Sequence, residues 1–246
     1  MVARALGLAG YRVIMASKDR LKTELEIKKL ENQTGIKSFE FIELDLSDFE
    51  SINSFTKLYK MKYGGLDLLV NNANVMKYTY ELSKNGIEMQ FATNYIGVFF
   101  LTNDLIGLMR FSGDPRVVFL SSNEHYYGKF ENYDFLEEKF YDKKKNYSIS
   151  KLCCIMFANE LSRRHDWADV VTICPGPIDT DIDNYFLKDY DLIKRWLKKF
   201  FTLSVEQGSL DIIYAALSEN YSKKGRVHLS MGSMASPLLF SKNEKA

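Results

Sequence analysis

The sequence predicts an α/β domain built on a doubly wound, mostly parallel sheet. Short apolar runs alternate with longer amphipathic stretches along the whole chain. Strands that alternate with helices imply right-handed crossovers, and these connections produce parallel strands. The length of 246 residues is typical of one such domain, and no repeat or linker-like segment divides it. We therefore expect residues 1–246 to form a single domain.

Six apolar runs are predicted to be strands, because each is four to six residues long and rich in Val, Ile, Leu or Phe. Several are apolar at consecutive positions, which is typical of parallel strands that helices cover on both faces. The predicted strands are residues 11–16, 39–44, 66–70, 116–120, 170–173 and 226–229.

The amphipathic stretches between these runs are predicted to be helices. They are residues 18–31, 48–63, 94–111, 146–164 and 205–218. A further helical pattern at residues 2–8 precedes the first predicted strand, so the chain begins directly with a helix.

Composition and charge exclude several classes of protein. The 33 Lys and Arg residues nearly balance the 32 Asp and Glu residues, so the basic excess of a nucleic-acid-binding protein is absent. Three cysteines are too few for a disulfide framework and favour a reducing compartment. No apolar run reaches the ~18 residues of a membrane span. We predict a cytoplasmic protein without a signal peptide, and membrane association through a preceding segment stays open.

Small and polar residues follow five of the predicted strands. In an open α/β sheet, ligands bind at the carboxyl ends of the strands, so these residues are the first candidates for a site. They are Ser17–Arg20, Asp45–Ser47, Asn71–Asn74, Ser121–Asn123 and the segment that begins at Cys174. The three histidines lie far apart and lack the spacing of metal ligands, so no metal site is predicted.

Tyr147 and Lys151 form the strongest chemical motif of the sequence. They are four residues apart on a predicted helix, so their side chains lie on the same face. A phenol titrates near pH ~10 and is a poor acid or base at neutral pH, whereas a neighbouring ammonium favours the phenolate. The same spacing occurs by chance in many helices, so the pair alone does not define an active site.

Five motifs together resemble the short-chain dehydrogenase/reductase family, over about residues 3–232. The resemblance is closest to the branch that contains the retinol dehydrogenases and the WW-domain-containing oxidoreductase. The motifs are Asn71-Asn72-Ala73, Asn94-Tyr95-Ile96-Gly97, the run from Arg116 to Ser122, the run from Tyr147 to Cys153, and Pro175-Gly176 with Thr180. Their order and spacing match those of the family, which implies a Rossmann-like fold and the oxidation or reduction of an alcohol or carbonyl with NAD(P).

The resemblance also implies roles for four catalytic residues. Tyr147 corresponds to the general acid or base, and Lys151 to the group that activates it and binds the cofactor ribose. Ser122 corresponds to the residue that polarises the substrate oxygen, and Asn94 to the residue that holds a water in the proton relay.

The residues after the first predicted strand favour NADP over NAD. A basic side chain there accommodates the 2′-phosphate of NADP, whereas an acidic one binds the ribose hydroxyls of NAD. Lys18 and Arg20 are basic, although Asp19 lies between them, so NAD stays open; a solvated helix start explains the two cations equally simply. By position, the family's cofactor contacts fall on Lys18, Asp45, Leu46, Asn72, Ala73, Tyr147, Lys151, Pro175, Gly176 and Thr180.

Asn74 stands where the family has a glycine, and a side chain at this position would crowd the cofactor. The segment 185–203 is rich in aromatic residues and Leu, and in relatives the corresponding segment covers the substrate. This favours a lipophilic, retinoid- or steroid-like alcohol or carbonyl substrate, but a helix that packs on the core is an equal alternative. The apolar faces of residues 94–111 and 146–164 are also suited to a homodimer, as in other members of the family.

The family's first strand and its glycine-rich turn have no counterpart in the sequence. Gly7 and Gly10 do not replace the turn, since they lie at the far end of the first predicted helix. The domain is therefore predicted to be incomplete at its N-terminus, with unpaired edges on strands 11–16 and 66–70. Two hypotheses follow: an NADP-dependent oxidoreductase, or a non-catalytic relative that binds dinucleotide poorly and acts through association with another protein.

Overall fold

Parallel strands form the centre of the computed structural model, which describes residues 1–130, 136–176, 204–221, 226–230 and 233–234. The strands are β1 (Val13–Ser17), β2 (Phe39–Glu43), β3 (Leu68–Asn71), β4 (Arg116–Leu120), β5 (Asp169–Cys174), β6 (Arg226–Ser230) and β7 (Ser233–Met234). All six predicted strands are confirmed, with ends that differ by at most two residues.

The strands pair in two groups. β3, β4, β5 and β6 are parallel neighbours, and β7 adds a short antiparallel edge to β6. β1 and β2 form a separate parallel pair. The predicted mostly parallel sheet with helices around it is confirmed, and the two-residue β7 is an addition that the sequence pattern did not indicate.

Seven α-helical segments accompany the strands in the part of the chain that the structure describes. They are α1 (Val2–Leu8), α2 (Arg20–Thr34), α3 (Phe49–Lys62), α4 (Met89–Phe91), α5 (Gly97–Leu105), α6 (Lys143–Arg164) and α7 (Val205–Leu217). Aspartate side chains cap three of them: Asp19 accepts from the Lys22 amide, Asp48 from the Glu50 amide, and Asp142 from two amides of the first turn of α6. None of the described helices is long and apolar enough to cross a membrane.

The prediction of a helix over residues 94–111 is confirmed, although the helix is not α-helical throughout. Glu88 caps α4, a π-helical turn at Ala92–Ile96 follows, and α5 then ends in a 3₁₀ segment, Ile106–Phe111. Single π turns inside a helix are frequent at functional sites, and this one contains Asn94.

The core lies in two layers, one on each face of the sheet. Alternating side chains of β4 point to opposite faces: Val117 and Phe119 pack with α3, α5 and α6, whereas Val118 packs with α1 and α7. β5 divides in the same way, with Val170 in the first layer and Val171 in the second. Burial on both faces explains why these strands are continuously apolar.

A cleft of about 550 Å³ separates β1 from β3. Among the described residues, β1 pairs only with β2, and β3 only with β4. The cleft is lined by both strands, by Leu6 of α1 and by Leu105 of α5. The unpaired strand edges expected from the sequence are therefore present, and they face each other across this cleft.

Gly97 lets α5 approach the loop after β2. A Cβ atom on Gly97 would collide with the carbonyl oxygen of Leu46 and with its side chain. The collision involves backbone, so a side-chain rotation cannot relieve it.

We expect Gly97→Ala to lower the free energy of unfolding by about 2 kcal/mol through overpacking. Gly107→Ala is the control, because a Cβ there meets no atom within 4 Å. Urea unfolding of both variants measures the difference, and equal stability of the two would contradict the proposed contact.

Candidate active site

The candidate site lies where β3, β4 and β5 end and α6 begins. Tyr147 and Lys151 lie on α6, Ser122 follows β4, and Asn94 lies in the π turn before α5. The structure therefore brings together the four residues that the sequence analysis predicts as catalytic, although they come from separate elements.

Tyr147 is 4% exposed, and its phenol oxygen has two hydrogen-bond partners in the protein. Asn74 Nδ2 donates to Tyr147 Oη at 2.8 Å, and the Ser122 hydroxyl bonds to the same group. Burial raises the pKa of Tyr147 well above its ordinary value, while the bonds to Asn74 and Ser122 lower it. Burial therefore favours the neutral phenol over the phenolate at this site.

Lys151 lies one helical turn after Tyr147 and is 1% exposed. Its Nζ donates to the Leu120 carbonyl at 3.0 Å, and it lies 5.6 Å from the centre of the Tyr147 ring. Burial lowers the pKa of Lys151, because the ammonium has lost most of its water. The same burial means that any charge that Lys151 carries acts on Tyr147 through a weakly screening medium.

Ser122 caps a single 3₁₀ turn, Asn123–Tyr127, and its Oγ accepts from the Glu124 amide at 3.2 Å. The preceding Ser121 is buried, and its hydroxyl donates to the Lys151 carbonyl at 3.2 Å. The two serines therefore make different contacts. Ser121 bonds the end of β4 to α6, and Ser122 faces Tyr147.

The Asn94 side chain makes all its contacts inside the protein. Its Oδ1 accepts from the Val75 amide at 2.8 Å, and its Nδ2 donates to the Val75 carbonyl at 2.8 Å and to Ser150 Oγ at 3.2 Å. Ser150 in turn donates to the Tyr147 carbonyl at 2.7 Å. Asn94 therefore joins the loop after β3 to α6, and its predicted role in holding a water stays a prediction.

Five residues predicted to contact the cofactor line the cleft between β1 and β3. They are Lys18, Asp45, Leu46, Asn72 and Ala73. The Lys18 ammonium lies 4.0 Å from the Asp45 carboxylate and is 70% exposed. Asp45 also accepts from the Ser47 amide and hydroxyl, which holds the turn after β2 in place.

Asp19, the acidic residue beside Lys18, is already hydrogen-bonded within the protein. Asp19 accepts from the Lys22 amide at 3.0 Å as the cap of α2. Arg20 is also engaged, because it pairs with Glu24 and Glu43 and lies over the ring of Phe41. Lys18 is therefore the cation of this turn with the weakest protein contact among the residues that the structure describes.

The remaining predicted cofactor contacts lie at or beyond the end of β5. Pro175 is buried, and Gly176 has a φ of +86°, a backbone conformation that favours glycine. Thr180 and the segment 185–203 lie outside the described residues. Gly7 and Gly10 lie at the C-terminal end of α1, as the sequence predicts.

The sequence analysis missed two contacts of this site. Ser150 was part of the Tyr147–Lys151 motif but had no assigned role, and it links Asn94 to α6. Asn74 was expected to crowd the cofactor, whereas its amide contacts Tyr147. Its departure from the family's glycine was the only sequence signal for this contact.

The arrangement is suited to moving one proton. A buried phenol that can ionise, a second hydroxyl on the same oxygen and a nearby lysine are the groups that proton transfer to or from an alcohol oxygen requires. Oxidation of that alcohol also needs an acceptor for hydride, which a nicotinamide cofactor supplies when bound.

Comparisons with known proteins place the chain in a family. The family model for short chain dehydrogenase matches residues 1–191. Retinol dehydrogenase 11 from Homo sapiens is 33% identical over 230 residues, which cover 93% of this chain and 72% of that protein. Polyprenol dehydrogenase from Homo sapiens is 31% identical over 237 residues, which cover 92% of this chain and 71% of that protein.

A solved structure shares the fold. The alcohol dehydrogenase from the archaeon Thermococcus sibiricus, complexed with 5-hydroxy-NADP, has a TM-score of 0.69 and is 18% identical. The match covers 93% of this chain and 88% of that one.

We expect Asn94→Ala to lower the free energy of unfolding by about 3 kcal/mol, because it leaves the Val75 amide and carbonyl without their buried partners. Asn103→Ala removes an exposed amide of the same kind, bonded only locally to the Phe99 carbonyl, and is the control. If urea unfolding gives the same stability for both variants, Asn94 does not hold the loop after β3.

Proposed function

The chain belongs to the short-chain dehydrogenase family, an oxidoreductase family that acts on CH–OH groups, and from this premise we propose that it interconverts an alcohol and a carbonyl with NADP(H). The observation that carries the proposal is the contact of Tyr147 Oη with Ser122, one turn from the buried Lys151. We further propose a lipophilic, retinoid- or steroid-like substrate.

The residues around the cleft fit a dinucleotide. Lys18, Asp45 and Leu46 line the side of β1 and β2, and Asn72 and Ala73 line the side of β3, so one extended ligand can reach all of them. Bound there, the cofactor supplies the hydride chemistry. Tyr147 and Lys151 would then lie at its nicotinamide end, as the family resemblance implies.

The choice of NADP rests on charge. Lys18 is largely exposed and only weakly paired with Asp45. Its side chain can therefore move to a 2′-phosphate at a small cost in free energy. Asp19, the group that would favour NAD, is held by the start of α2. NAD is the second candidate, because the capping bond of Asp19 is exposed and exchanges with water readily.

In the oxidative direction, the Tyr147 phenolate accepts the proton of the substrate hydroxyl, and the Ser122 hydroxyl donates a hydrogen bond to the same substrate oxygen. Lys151 opposes the effect of burial by placing a positive charge near the phenolate. In the reductive direction, Tyr147 donates the proton to the carbonyl oxygen. Asn94 positions these groups indirectly, because it holds the loop after β3 against α6.

The substrate class rests on the relatives. Retinol and polyprenol, named in the two relatives, are lipophilic alcohols. The segment 185–203 is the part of this chain proposed to cover such a substrate, and its aromatic and Leu content suits that role. The homodimer and the cytoplasmic location expected from the sequence are likewise proposals.

The cleft favours a second candidate function. Its edges on β1 and β3 are unpaired among the described residues, and the proposed cofactor contacts lie beside them. A chain that opens at this cleft would bind dinucleotide poorly and would act through association with another protein. Titration with NADPH, followed by nicotinamide fluorescence, separates the candidates, since micromolar binding contradicts the non-catalytic one.

We expect Lys18→Ala to weaken NADPH binding about tenfold and to leave NADH binding unchanged, because only NADPH carries the 2′-phosphate. Lys22→Ala, an exposed lysine one turn further along α2, is the matched control and should bind NADPH as the unsubstituted chain does. Fluorescence titration measures both constants. Equal affinity for NADPH in the two variants would reject Lys18 as the phosphate ligand.

We expect Tyr147→Phe to reduce turnover of retinol by at least about a hundredfold, because the proton acceptor is lost. NADPH affinity should change little, since the phenol is one contact among many. Turnover is followed by NADPH absorbance, and fluorescence titration checks the binding. Retained turnover in this variant would show that another group moves the proton.

A further inference from the structure

Asn74 contacts the oxygen that the proposed reaction protonates. Its Nδ2 lies 2.8 Å from Tyr147 Oη, and the two residues are 73 positions apart in the chain. The neighbouring Val75 is bonded through both its amide and its carbonyl to Asn94. The position of the Asn74 amide is therefore set by a fixed loop.

The direction of this hydrogen bond determines its effect. The amide N–H donates and the phenol oxygen accepts. A phenolate accepts a hydrogen bond more strongly than a neutral phenol does, so a donor at this position stabilises the ionised form. Glycine, which the family has at this position, offers no side-chain donor.

Other groups around Tyr147 also shift its pKa, and their balance makes a hydrogen-bond donor from position 74 important. Burial raises the pKa of Tyr147, and the negative charge of Glu124 acts in the same direction. Ser122 and Asn74 lower that pKa by hydrogen bonding, and Lys151 lies 5.6 Å from the ring. Ser122 has to turn toward the substrate oxygen during the reaction, whereas Asn74 can keep its bond to the phenolate throughout.

We propose that Asn74 is a further catalytic residue, which donates its side-chain N–H to the Tyr147 phenolate and holds it ready to accept the substrate proton. The inference rests on the proposed function for its role in turnover. The hydrogen bond itself does not, and it can be measured on the chain without cofactor.

The reverse orientation of the amide makes the opposite prediction. If Oδ1 faced Tyr147, it would accept the phenol proton and stabilise the neutral form. Oδ1 is instead buried without a partner among the described residues. The sign of the change in the Tyr147 pKa on removing the amide therefore tests the proposal directly.

The test places a polyfluorinated tyrosine at position 147 of the full chain, because its more acidic phenol ionises where the fold is stable. The ¹⁹F NMR shifts of its ring fluorines are followed against pH. We expect Asn74→Ala to raise the ionisation midpoint by about one to two pH units. Asn74→Asp should raise it at least as far, because a carboxylate repels the phenolate. Asn103→Ala should leave the midpoint unchanged.

Three results would overturn the proposal: an unchanged midpoint in Asn74→Ala, a lower midpoint in that variant, or a probe that stays protonated in the unsubstituted chain up to pH ~10.5, about the ordinary pKa of a tyrosine. Far-UV circular dichroism on each variant identifies any that does not fold, and Asn74→Gly then replaces it.

Turnover measurements keep this proposal separate from the proposed function. In an active chain, the rising limb of the pH profile for alcohol oxidation, where Tyr147 ionises, should move upward in Asn74→Ala by the same interval as the NMR midpoint. A shifted midpoint in a chain without turnover would contradict the proposed function and leave the hydrogen bond established. An active chain with an unmoved midpoint would contradict only the role of Asn74.

Discussion

The paired hydrogen bonds between the Asn94 side chain and the backbone of Val75 are the constraint on which the site depends. They hold the loop after β3 against the π turn, and a third bond to Ser150 connects the same amide to α6. Because an amide side chain that is 1% exposed must satisfy its polar atoms inside the protein, this geometry leaves little freedom. Tyr147 on one side and Asn74 on the other are positioned by the same residue.

Burial gives the site its chemistry and its main difficulty. The phenol of Tyr147 and the ammonium of Lys151 are both almost fully buried, and burial shifts both pKa values toward the neutral forms. Acid–base catalysis near neutral pH needs the opposite for Tyr147, so hydrogen-bond donors have to offset the cost of ionisation. The structure provides them from two directions, the end of β4 and the loop after β3, where a phenolate would otherwise be unsupported.

Local pattern was enough to predict the strands, most helices and the Tyr147–Lys151 pair, because those features follow from periodicities of two and 3.6 residues. The π turn at residues 92–96 was not predictable in that way, since a local period of 3.6 residues carries no information about tertiary contacts such as those of Asn94 with Val75 and Ser150. The contact between Asn74 and Tyr147 was out of reach for the same reason. The family motifs predicted which residues belong to the site. They did not predict that the side-chain amide of Asn94 hydrogen-bonds to the backbone of Val75.

The two halves of the proposed site depend on different parts of the sheet. The groups proposed to move the proton lie after β4, on α6 and in the loop after β3, and β3 and β4 belong to one hydrogen-bonded sheet. Lys18, Asp45 and Leu46 follow β1 and β2, which among the described residues form no strand pairing with that sheet. This half is held to the rest of the domain by packing, such as that of Leu46 against Gly97 of α5, and by side-chain bonds such as that of Lys84 to Asp48. The ionisation of Tyr147 therefore depends on the first half alone. The affinity for a dinucleotide, by contrast, requires both halves to keep their relative positions across the cleft. Loss of cofactor binding with an intact Tyr147 titration would locate a defect in the cleft, and not in the catalytic groups.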